Sequence, residues 1–318
     1  MFRALFIFLS KAFWAQKLIM NWKFAWHVAS RFIAGINIID AIKVIKNLND
    51  QGLNVTVDHL GENAITVEDT LAATKEVIDL LEAINSQEVQ ANVSIKLTQL
   101  GLNIDKDLCK SNLQNIIEHA KKMQNFVRID MEDSSITQET LDVVYWLKQT
   151  YSGVGTVIQS YLYRSEKDVV NLTNECIPIR MVKGAYKEPA QVAFPKKNDV
   201  DDNFDHLTKI CLDKIRCCNY PEISNDGRFP PLIAIASHDE LRIENAIHYA
   251  NTKDLSQKTY EIQMLYGIRR DLQKKYSEQG YPVRVYVPYG THWYPYFMRR
   301  LAERPANVWF FFSNFFRK

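Results

Sequence analysis

The sequence predicts an α/β protein built as a (βα)8 barrel of the TIM type, with extra helices before the first strand. Short segments rich in β-branched residues alternate with longer helical patterns, which is typical of parallel strands joined by crossover helices. Eight such β-rich segments occur, and eight βα units form a closed barrel far more often than an open sheet. A chain of 318 residues suits one barrel, so we expect a single domain over 1–318, with 1–50 as a helical extension.

The strand candidates are regularly spaced except after the fifth. They lie at 54–60, 89–97, 126–131, 155–161, 179–184, 231–237, 260–265 and 283–289. Helical patterns separate them, for example at 66–84, 107–123 and 137–149. The connection at 187–228 is long and contains the polar run KKNDVDDN, which we interpret as an extended loop plus one helix on the active-site side.

The composition is typical of soluble globular proteins and does not indicate a nucleic-acid-binding protein. Hydrophobic residues make up 47% of the sequence and charged residues 24%. The formal net charge is only +2, so no overall field calls for a nucleic acid partner. The five cysteines form no CxxC pair, so we expect reduced thiols in a cytoplasmic compartment.

The N-terminal stretch, residues 1–26, is aromatic and basic. Its apolar run is short and no small-residue cleavage site follows it cleanly, so it does not fit a signal peptide. Lys11, Lys17 and Lys23 interrupt the stretch, which rules out a transmembrane helix there. Two interpretations stay open: a helix that lies on a membrane surface, and an amphipathic helix that packs on the domain.

Polar side chains occupy the predicted carboxyl ends of most strands. Catalytic groups sit at those ends in a βα barrel, whereas the interior is normally filled by Val, Ile and Leu. The polar residues are Asp58 and Glu62, Lys96, Asp130, Gln159, Arg180 and Lys183, Ser237 and His238, and Tyr286. One of them alone could belong to an ion pair at the barrel mouth. Because buried charges are costly unless paired, a set from at least six strands predicts a functional site.

A helix predicted after the eighth strand contains two adjacent arginines. The strand breaks at Pro288 and Gly290, and a helical pattern then runs until Pro305. Four residues at positions i, i+3, i+4 and i+7 share one face: Tyr296, Arg299, Arg300 and Glu303. A guanidinium fork matches a carboxylate in shape and charge, so this face predicts a clamp for an amino or oxo acid. From this stretch alone, a solvated face with a Glu303–Arg299 pair is an equally good interpretation.

Two lysines at strand ends raise further chemistries. Lys96 or Lys183 could form a Schiff base, as a lyase on such a barrel would require. Directly after the fifth strand, Lys183, Gly184 and Ala185 could instead present an ammonium and backbone N–H groups to a phosphate-bearing cofactor. The sequence contains neither a GxGxxG nor a Walker motif, and its histidines lack ligand spacing, so we expect no metal site.

Eight motifs together give a specific resemblance. They are SIKL at 94–97, RIDMED at 128–133, VIQSY at 157–161, RMVKGAY at 180–186, ASHD at 236–239, YEIQMLYG at 260–267, YVPYG at 286–290 and YFMRRLAER at 296–304. With these motifs in this order, the chain resembles the proline dehydrogenase family, in its bacterial monofunctional form. The resemblance implies a distorted (βα)8 barrel that binds FAD and oxidises L-proline to 1-pyrroline-5-carboxylate. This is the first step of proline degradation to glutamate, and its electrons pass to quinone.

The resemblance also implies roles for the substrate residues. Arg299 and Arg300 would hold the proline carboxylate, with Lys96 beside them. Tyr286 and Tyr296 would pack against the proline ring, with Leu265 on its apolar side. Asp130, which would pair with the clamp, and Arg180, beside flavin N5, would be catalytic. Glu62 would be a gate that closes over the site by pairing with a clamp arginine.

The remaining implied roles concern the cofactor and the acceptor. Besides Arg180, the expected FAD contacts are Met131, Gln159, Lys183, Gly184, Ala185, Ser237 and His238. Position 237 is Ser where the family commonly has Thr, which keeps the hydroxyl. Because quinone lies in the bilayer, we expect a cytoplasmic protein with a peripheral contact at the inner face of the cell membrane. The aromatic segments 6–14 and 308–318 are the candidates for that contact.

Overall fold

The eight predicted strands are present and form one closed parallel barrel. The computed structural model describes residues 9, 12, 16, 19, 23–61 and 64–303. Its strands are β1 Asn54–His59, β2 Ala91–Ile95, β3 Val127–Ile129, β4 Val154–Gln159, β5 Ile179–Val182, β6 Ile233–Ala236, β7 Tyr260–Leu265 and β8 Val283–Tyr289. They are hydrogen-bonded in chain order, and β8 closes the barrel on β1. The predicted (βα)8 fold is therefore confirmed.

Helices alternate with the strands as predicted. Within the described residues they are α1 Lys23–Ala29, α2 Ile38–Asn49, α3 Val67–Ser86, α4 Lys106–Lys122, α5 Thr137–Lys148, α6 Ser165–Asn174, α7 Lys197–Cys218, α8 Glu240–Thr252, α9 Arg270–Glu278 and α10 Trp293–Glu303. A capping box fixes the start of α3, because Thr66 Oγ1 accepts a hydrogen bond from Asp69 N while Asp69 Oδ2 accepts one from Thr66 N. This cap fixes the residue at which the helix after β1 begins.

Helix α7 begins earlier than the polar sequence around it suggests. The run KKNDVDDN at 196–203 forms its first turns, and Lys197 pairs with Asp201 four residues later on the exposed side. The opposite face is apolar and buried, with Phe204, Leu207 and Cys211 at helical spacing. The long connection after β5 therefore contains a helix of 22 residues, and the polar run belongs to it.

Several strands are shorter than predicted at their carboxyl ends. The clearest case is β3, which ends at Ile129, although the apolar pattern continues to Met131. Asp130 N still donates to Ile95 O at 2.8 Å, but the Asp130 side chain is then used in the site.

The barrel separates an apolar shell from a polar interior. Outward-facing strand residues such as Val55, Val57 and Val285 are fully buried under the surrounding helices. Inside, Glu261 on β7 forms an ion pair with Arg284 on β8, with Oε2 and Nε 3.0 Å apart and both side chains fully excluded from solvent. Arg284 Nη1 and Nη2 donate to the backbone carbonyls of Val55 and Gly227, so each nitrogen of this buried guanidinium has an acceptor in the closed barrel.

The described part of the N-terminal extension packs on the barrel. Trp26 of α1 meets Trp293 of α10 edge to face, with ring centroids 5.4 Å apart. Ala34 N donates to Pro288 O at 2.9 Å, which ties the chain before α2 to β8. These contacts support the packed interpretation for this part of the extension. Across 23–61 and 64–303 and the four residues described singly, no helix has the length and apolar character needed to cross a membrane.

One expectation about the cysteines is wrong. Cys176, just after α6, is disulfide-bonded to Cys218 at the end of α7, with Cα atoms 5.5 Å apart. Cys109, Cys211 and Cys217 are free thiols. The bonded residues are 42 positions apart along the chain, and their proximity arises from the packing of α6 against α7, which no CxxC spacing could reveal.

The buried Glu261–Arg284 pair should contribute strongly to stability. Glu261→Gln leaves the Arg284 guanidinium buried without a counter-charge, and we expect a loss of about 3–5 kcal/mol in the free energy of unfolding. Urea unfolding followed by circular dichroism measures the change. Asp79→Asn is the matched control, because it breaks the Lys75–Asp79 pair on the solvent side of α3 and should change little. Equal losses in both variants would contradict a special role for the interior pair.

Candidate active site

An ion pair at the centre of the barrel organises the site. Asp130 Oδ1, just after β3, lies 2.7 Å from Arg180 Nη1 on β5. Ser94 Oγ on β2 donates to the same carboxylate oxygen at 2.6 Å. Strand β5 is not adjacent to β2 or β3, so these contacts cross the lumen. They bring the two predicted catalytic residues into direct contact.

The second oxygen of Asp130 has partners from β8 and from the end of β2. The Tyr286 hydroxyl on β8 donates to Asp130 Oδ2 at 2.8 Å. The Lys96 ammonium lies 3.6 Å from the same oxygen and 3.4 Å from the Tyr286 hydroxyl. Its shortest contact is with Asp58 Oδ1 at the end of β1, at 2.8 Å. Four strand ends therefore meet in one hydrogen-bonded network.

The two carboxylates of this network are tuned in opposite directions. Burial alone would raise the pKa of Asp130, but Arg180 and then Lys96 more than offset it, so its pKa lies below the ordinary value. Burial raises the pKa of Asp58, and Lys96 only partly opposes this. Burial, with Asp130 and Asp58 nearby, raises the pKa of Tyr286 well above that of a free phenol. At neutral pH Asp130 is thus an anion and Tyr286 a hydrogen-bond donor.

Arg180 is held on several sides and keeps one donor available. Its Nε donates to Gln263 Oε1 on β7 at 2.6 Å, and its guanidinium carbon lies 5.0 Å from the centre of the Tyr286 ring. Gln263 in turn donates to Glu261, which links the site to the Glu261–Arg284 pair below it. Arg180 Nη2 is buried and has no hydrogen-bond partner among the described residues. A buried cationic donor of this kind fits an electron-rich acceptor on a bound molecule, as a flavin ring would be.

Met131 and Gln159 lie buried beside this centre. Gln159, at the end of β4, donates from Nε2 to Glu132 O at 2.8 Å, which fixes its amide next to the turn after β3. Met131 is 7% exposed and belongs to that same turn. Met131 directly follows Asp130, and Gln159 is the last residue of β4, so both lie at the carboxyl ends of neighbouring strands, where contacts with a flavin ring are expected.

Lys183 lies between two carboxylates at the mouth. Its ammonium is 2.6 Å from Asp201 Oδ1 on α7 and 2.8 Å from Asp239 Oδ2 after β6. The next residue, Gly184, has φ +116°, and a Cβ there would come within 2.5 Å of the Tyr161 ring. Gly184 is therefore required by the backbone turn and by Tyr161, whereas the adjacent Ala185 is exposed.

Ser237 and His238 tie the end of β6 to the end of β7. Ser237 Oγ accepts a hydrogen bond from Asp239 N at 3.1 Å. His238 Nε2 accepts one from Leu265 N at 2.9 Å, so the His238 proton resides on Nδ1 while the imidazole is neutral. This bond places the half-buried Leu265 side chain at the rim of the site.

The arginine pair lies on α10 as predicted, directly after β8. Arg300 is only 7% exposed, and its guanidinium carbon lies 4.9 Å from the centre of the Tyr296 ring, which is itself buried. A guanidinium buried to this degree does not belong to a solvated face. Arg299 is half-buried. Glu62 and the Glu303 side chain lie outside the described part of the chain, so the gate and the Glu303–Arg299 pair stay predictions.

Three polar residues of the interior have no role predicted from the sequence. Asp58 was noted only as a strand end, and Ser94 and Gln263 were not singled out. Ser94 lies two residues before Lys96, and Gln263 two residues before Leu265. The period of two along a strand places each on the same side as a predicted site residue. That alternation was the available signal.

Comparisons with known proteins agree with this geometry. A family model described as proline dehydrogenase matches residues 41–311. The chain is 42% identical over 316 residues to proline dehydrogenase 2 of Bacillus subtilis (strain 168), covering 99% of both chains. It is 40% identical to the proline dehydrogenase of Deinococcus radiodurans, covering 90% of this chain and 89% of that protein. Among solved structures, proline utilization A from Bdellovibrio bacteriovorus, inactivated by N-propargylglycine, superposes with a TM-score of 0.79 at 25% identity. The match covers 95% of this chain and 36% of that one.

Proposed function

Because the chain belongs to the proline dehydrogenase family, we propose that it oxidises L-proline to 1-pyrroline-5-carboxylate with FAD as hydride acceptor and quinone as final acceptor. Family membership makes the chain an oxidoreductase of proline catabolism. The observation that supports the finer statement is the buried Asp130–Arg180 pair, whose Arg180 Nη2 has no hydrogen-bond partner in the described part of the chain. We further propose one domain over residues 1–318.

Bound FAD would supply a two-electron acceptor for the hydride that leaves the carbon next to the proline nitrogen. Arg180 would be the residue nearest its reactive edge, where a fixed cation stabilises developing negative charge without reorganisation. Asp130 holds Arg180 in place, and we assign both as catalytic. The other residues proposed to hold the cofactor are Met131, Gln159, Lys183, Gly184, Ala185, Ser237 and His238.

The substrate would be oriented by its carboxylate and by its ring. Arg299 and Arg300 are proposed to hold the carboxylate, with Lys96 beside them. Tyr286, Tyr296 and Leu265 are proposed to pack against the ring. The Tyr286 phenol is fixed by Asp130, and the Tyr296 ring by Arg300, so these surfaces would be ordered before substrate arrives. Such preorganisation places the ring carbon for transfer at little entropic cost.

The Schiff-base lyase alternative has little support from the lysines. A Schiff base needs a neutral, accessible amine. Lys96 is buried between Asp58 and Asp130, and Lys183 is bridged by Asp201 and Asp239. Both amines are thus engaged in ion pairs with carboxylates, which leaves neither placed to attack a carbonyl. We therefore retain the oxidoreductase assignment alone.

The electron acceptor leads to a proposal about location. A quinone is dissolved in the bilayer, so the protein should contact a membrane surface at least transiently. We propose a cytoplasmic protein with a peripheral contact at the inner face of the cell membrane. Residues 308–318 and the aromatic segment 6–14 are the candidates, and both lie mainly outside the described residues.

We expect the purified protein to be yellow and to lose its flavin absorbance when L-proline is added anaerobically. The measurement is a visible spectrum before and after proline, with mass analysis of the extracted flavin to distinguish FAD from FMN. Borohydride added with proline should trap no covalent adduct. A colourless protein that FAD cannot reconstitute would overturn the cofactor proposal.

The clamp can be tested by steady-state kinetics. A charge-assisted hydrogen bond contributes about 1.5–3 kcal/mol, so Arg299→Met or Arg300→Met should raise KM for proline about tenfold or more. Flavin content should stay normal, because neither arginine is assigned to the cofactor. Lysine should rescue only in part, since it lacks the bidentate fork. The exposed Arg270→Met on α9 is the control and should keep the wild-type KM. If both clamp variants also keep it, the substrate placement is wrong.

Deletion of residues 308–318, or of 6–14, should lower quinone reduction on phospholipid vesicles and weaken vesicle binding. Turnover with a soluble artificial electron acceptor should stay near wild type, which shows that the truncated protein is folded. Co-sedimentation measures vesicle binding, and steady-state kinetics with vesicles measures quinone reduction. A segment whose removal leaves both vesicle readouts unchanged is not the membrane contact.

A further inference from the structure

Asp58 is a buried carboxylate that belongs to the central network. No role for it is predicted from the sequence. It lies at the end of β1, is 1% exposed, and is in register with Ser94 on β2 and Pro288 on β8. Its Oδ1 is 2.8 Å from the Lys96 ammonium, closer than Asp130 Oδ2 at 3.6 Å or the Tyr286 hydroxyl at 3.4 Å. Asp58 therefore makes the shortest of these three contacts of Lys96.

The oxygens of Asp130 are already engaged by other donors. Oδ1 accepts from Arg180 and Ser94, and Oδ2 accepts from Tyr286. If Asp58 lost its charge, the nearest remaining carboxylate for Lys96 among the described contacts would be Asp130 Oδ2. A closer approach there would compete with the Tyr286 hydroxyl and weaken the electrostatic hold of Asp130 on Arg180. One buried carboxylate would then serve two cations.

We propose that Asp58 is a positioning residue for proline oxidation: it holds the Lys96 ammonium beside the substrate and so reserves Asp130 for Arg180 and Tyr286. This inference rests on the proposed function, because it assumes that Lys96 faces the proline carboxylate. It assigns the two buried carboxylates separate tasks. Asp130 fixes the group beside the cofactor, and Asp58 fixes the group beside the substrate.

The arrangement has a pH consequence that follows from the groups around Asp58. The charged and titratable groups that act on it are Lys96 from β2, Asp130 from β3 and Tyr286 from β8. The Tyr289 hydroxyl of β8 donates instead to Glu76 on α3. Burial raises the pKa of Asp58 and the charge of Asp130 adds to this effect, whereas the pKa of Asp130 itself is lowered. As pH falls, Asp58 takes up a proton before Asp130 does. The ion pair with Lys96 is then lost, so activity should fall through the pKa of Asp58.

His59 is a neighbouring group that could be confused with Asp58 in such a titration. Burial, then the charges of His292 and Lys96, lower its pKa to about 4. Its imidazole lies close to the Gln99 amide and the Tyr289 ring and makes no part of the central network. His59→Gln is therefore the matched control, since it removes the adjacent titrating group from the same strand.

The experiment compares holoenzyme variants Asp58→Asn, Asp58→Glu and His59→Gln with wild type. The first readout is kcat/KM for proline as a function of pH. The second is the dissociation constant of an unreactive ring analogue with oxygen in place of nitrogen, measured by its perturbation of the flavin spectrum. For Asp58→Asn we expect about a tenfold or greater loss in kcat/KM and in analogue affinity. The acid limb of the pH profile, which is the fall of kcat/KM at low pH, should also be lost. Asp58→Glu should regain part of the kcat/KM and of the analogue affinity, and His59→Gln should keep the wild-type acid limb.

Wild-type analogue affinity and an unchanged acid limb in Asp58→Asn would overturn the proposal, because Lys96 would then be held without Asp58. If Asp58→Asn does not fold, Asp58→Glu decides, since a longer carboxylate must shift the acid limb if Asp58 is its origin. An unshifted limb overturns the inference. Failure of the proposed function is distinct: wild type and His59→Gln would then both fail to be reduced by proline.

Discussion

Asp130 and Arg180 face each other across the lumen of the barrel, and both are almost excluded from water. Removing two charges from water costs several kcal/mol for each ion unless their remaining donors and acceptors are also partnered. The interior shows how this condition is met. Hydrogen bonds and ion pairs form one continuous path from the barrel floor to its mouth through Arg284, Glu261, Gln263, Arg180, Asp130, Lys96 and Asp58. Side chains on or directly after six strands thus belong to one network that contains the Asp130–Arg180 pair.

The path explains why the interior is rigid where chemistry requires it. Each side chain is held from more than one direction: Arg180 by Asp130, Gln263 and the Tyr286 ring, and Lys96 by two carboxylates. Opposite charges lie next to each other along the path, and their attraction is strong in a low-dielectric space. Burial raises the pKa of Asp58, which has one cation beside it, whereas Arg180 and Lys96 together outweigh burial and lower the pKa of Asp130. Two chemically identical groups can then do different work.

Much of the fold and of the candidate site could be predicted from the sequence, because local periodicity indicates them. Contacts that leave no such local pattern could not be predicted. Strands and helices follow local periodicity, so all eight strands were placed, and polar residues at their ends revealed most of the site. Contacts across the lumen leave no local trace: Tyr286 and Asp130 are 156 residues apart. The Cys176–Cys218 pair was missed for the same reason. The beginning of α7 was obscured because its first turns are polar on the exposed side, although Phe204 and the residues after it have clear helical spacing.

The closure of β8 on β1 has a consequence for the order in which the chain can fold during synthesis. Asn54 pairs with Arg284, and the Arg284 guanidinium donates to the carbonyl of Val55, so residues about 230 positions apart meet. Until β8 leaves the ribosome, β1 and β7 both present unpaired edges, and the Glu261 carboxylate has no counter-ion. Contacts of such sequence separation form slowly, because a large loop must close before they contribute. The half-made barrel is therefore the stage most exposed to edge-to-edge association, and the last strand ends this exposure as it completes the site.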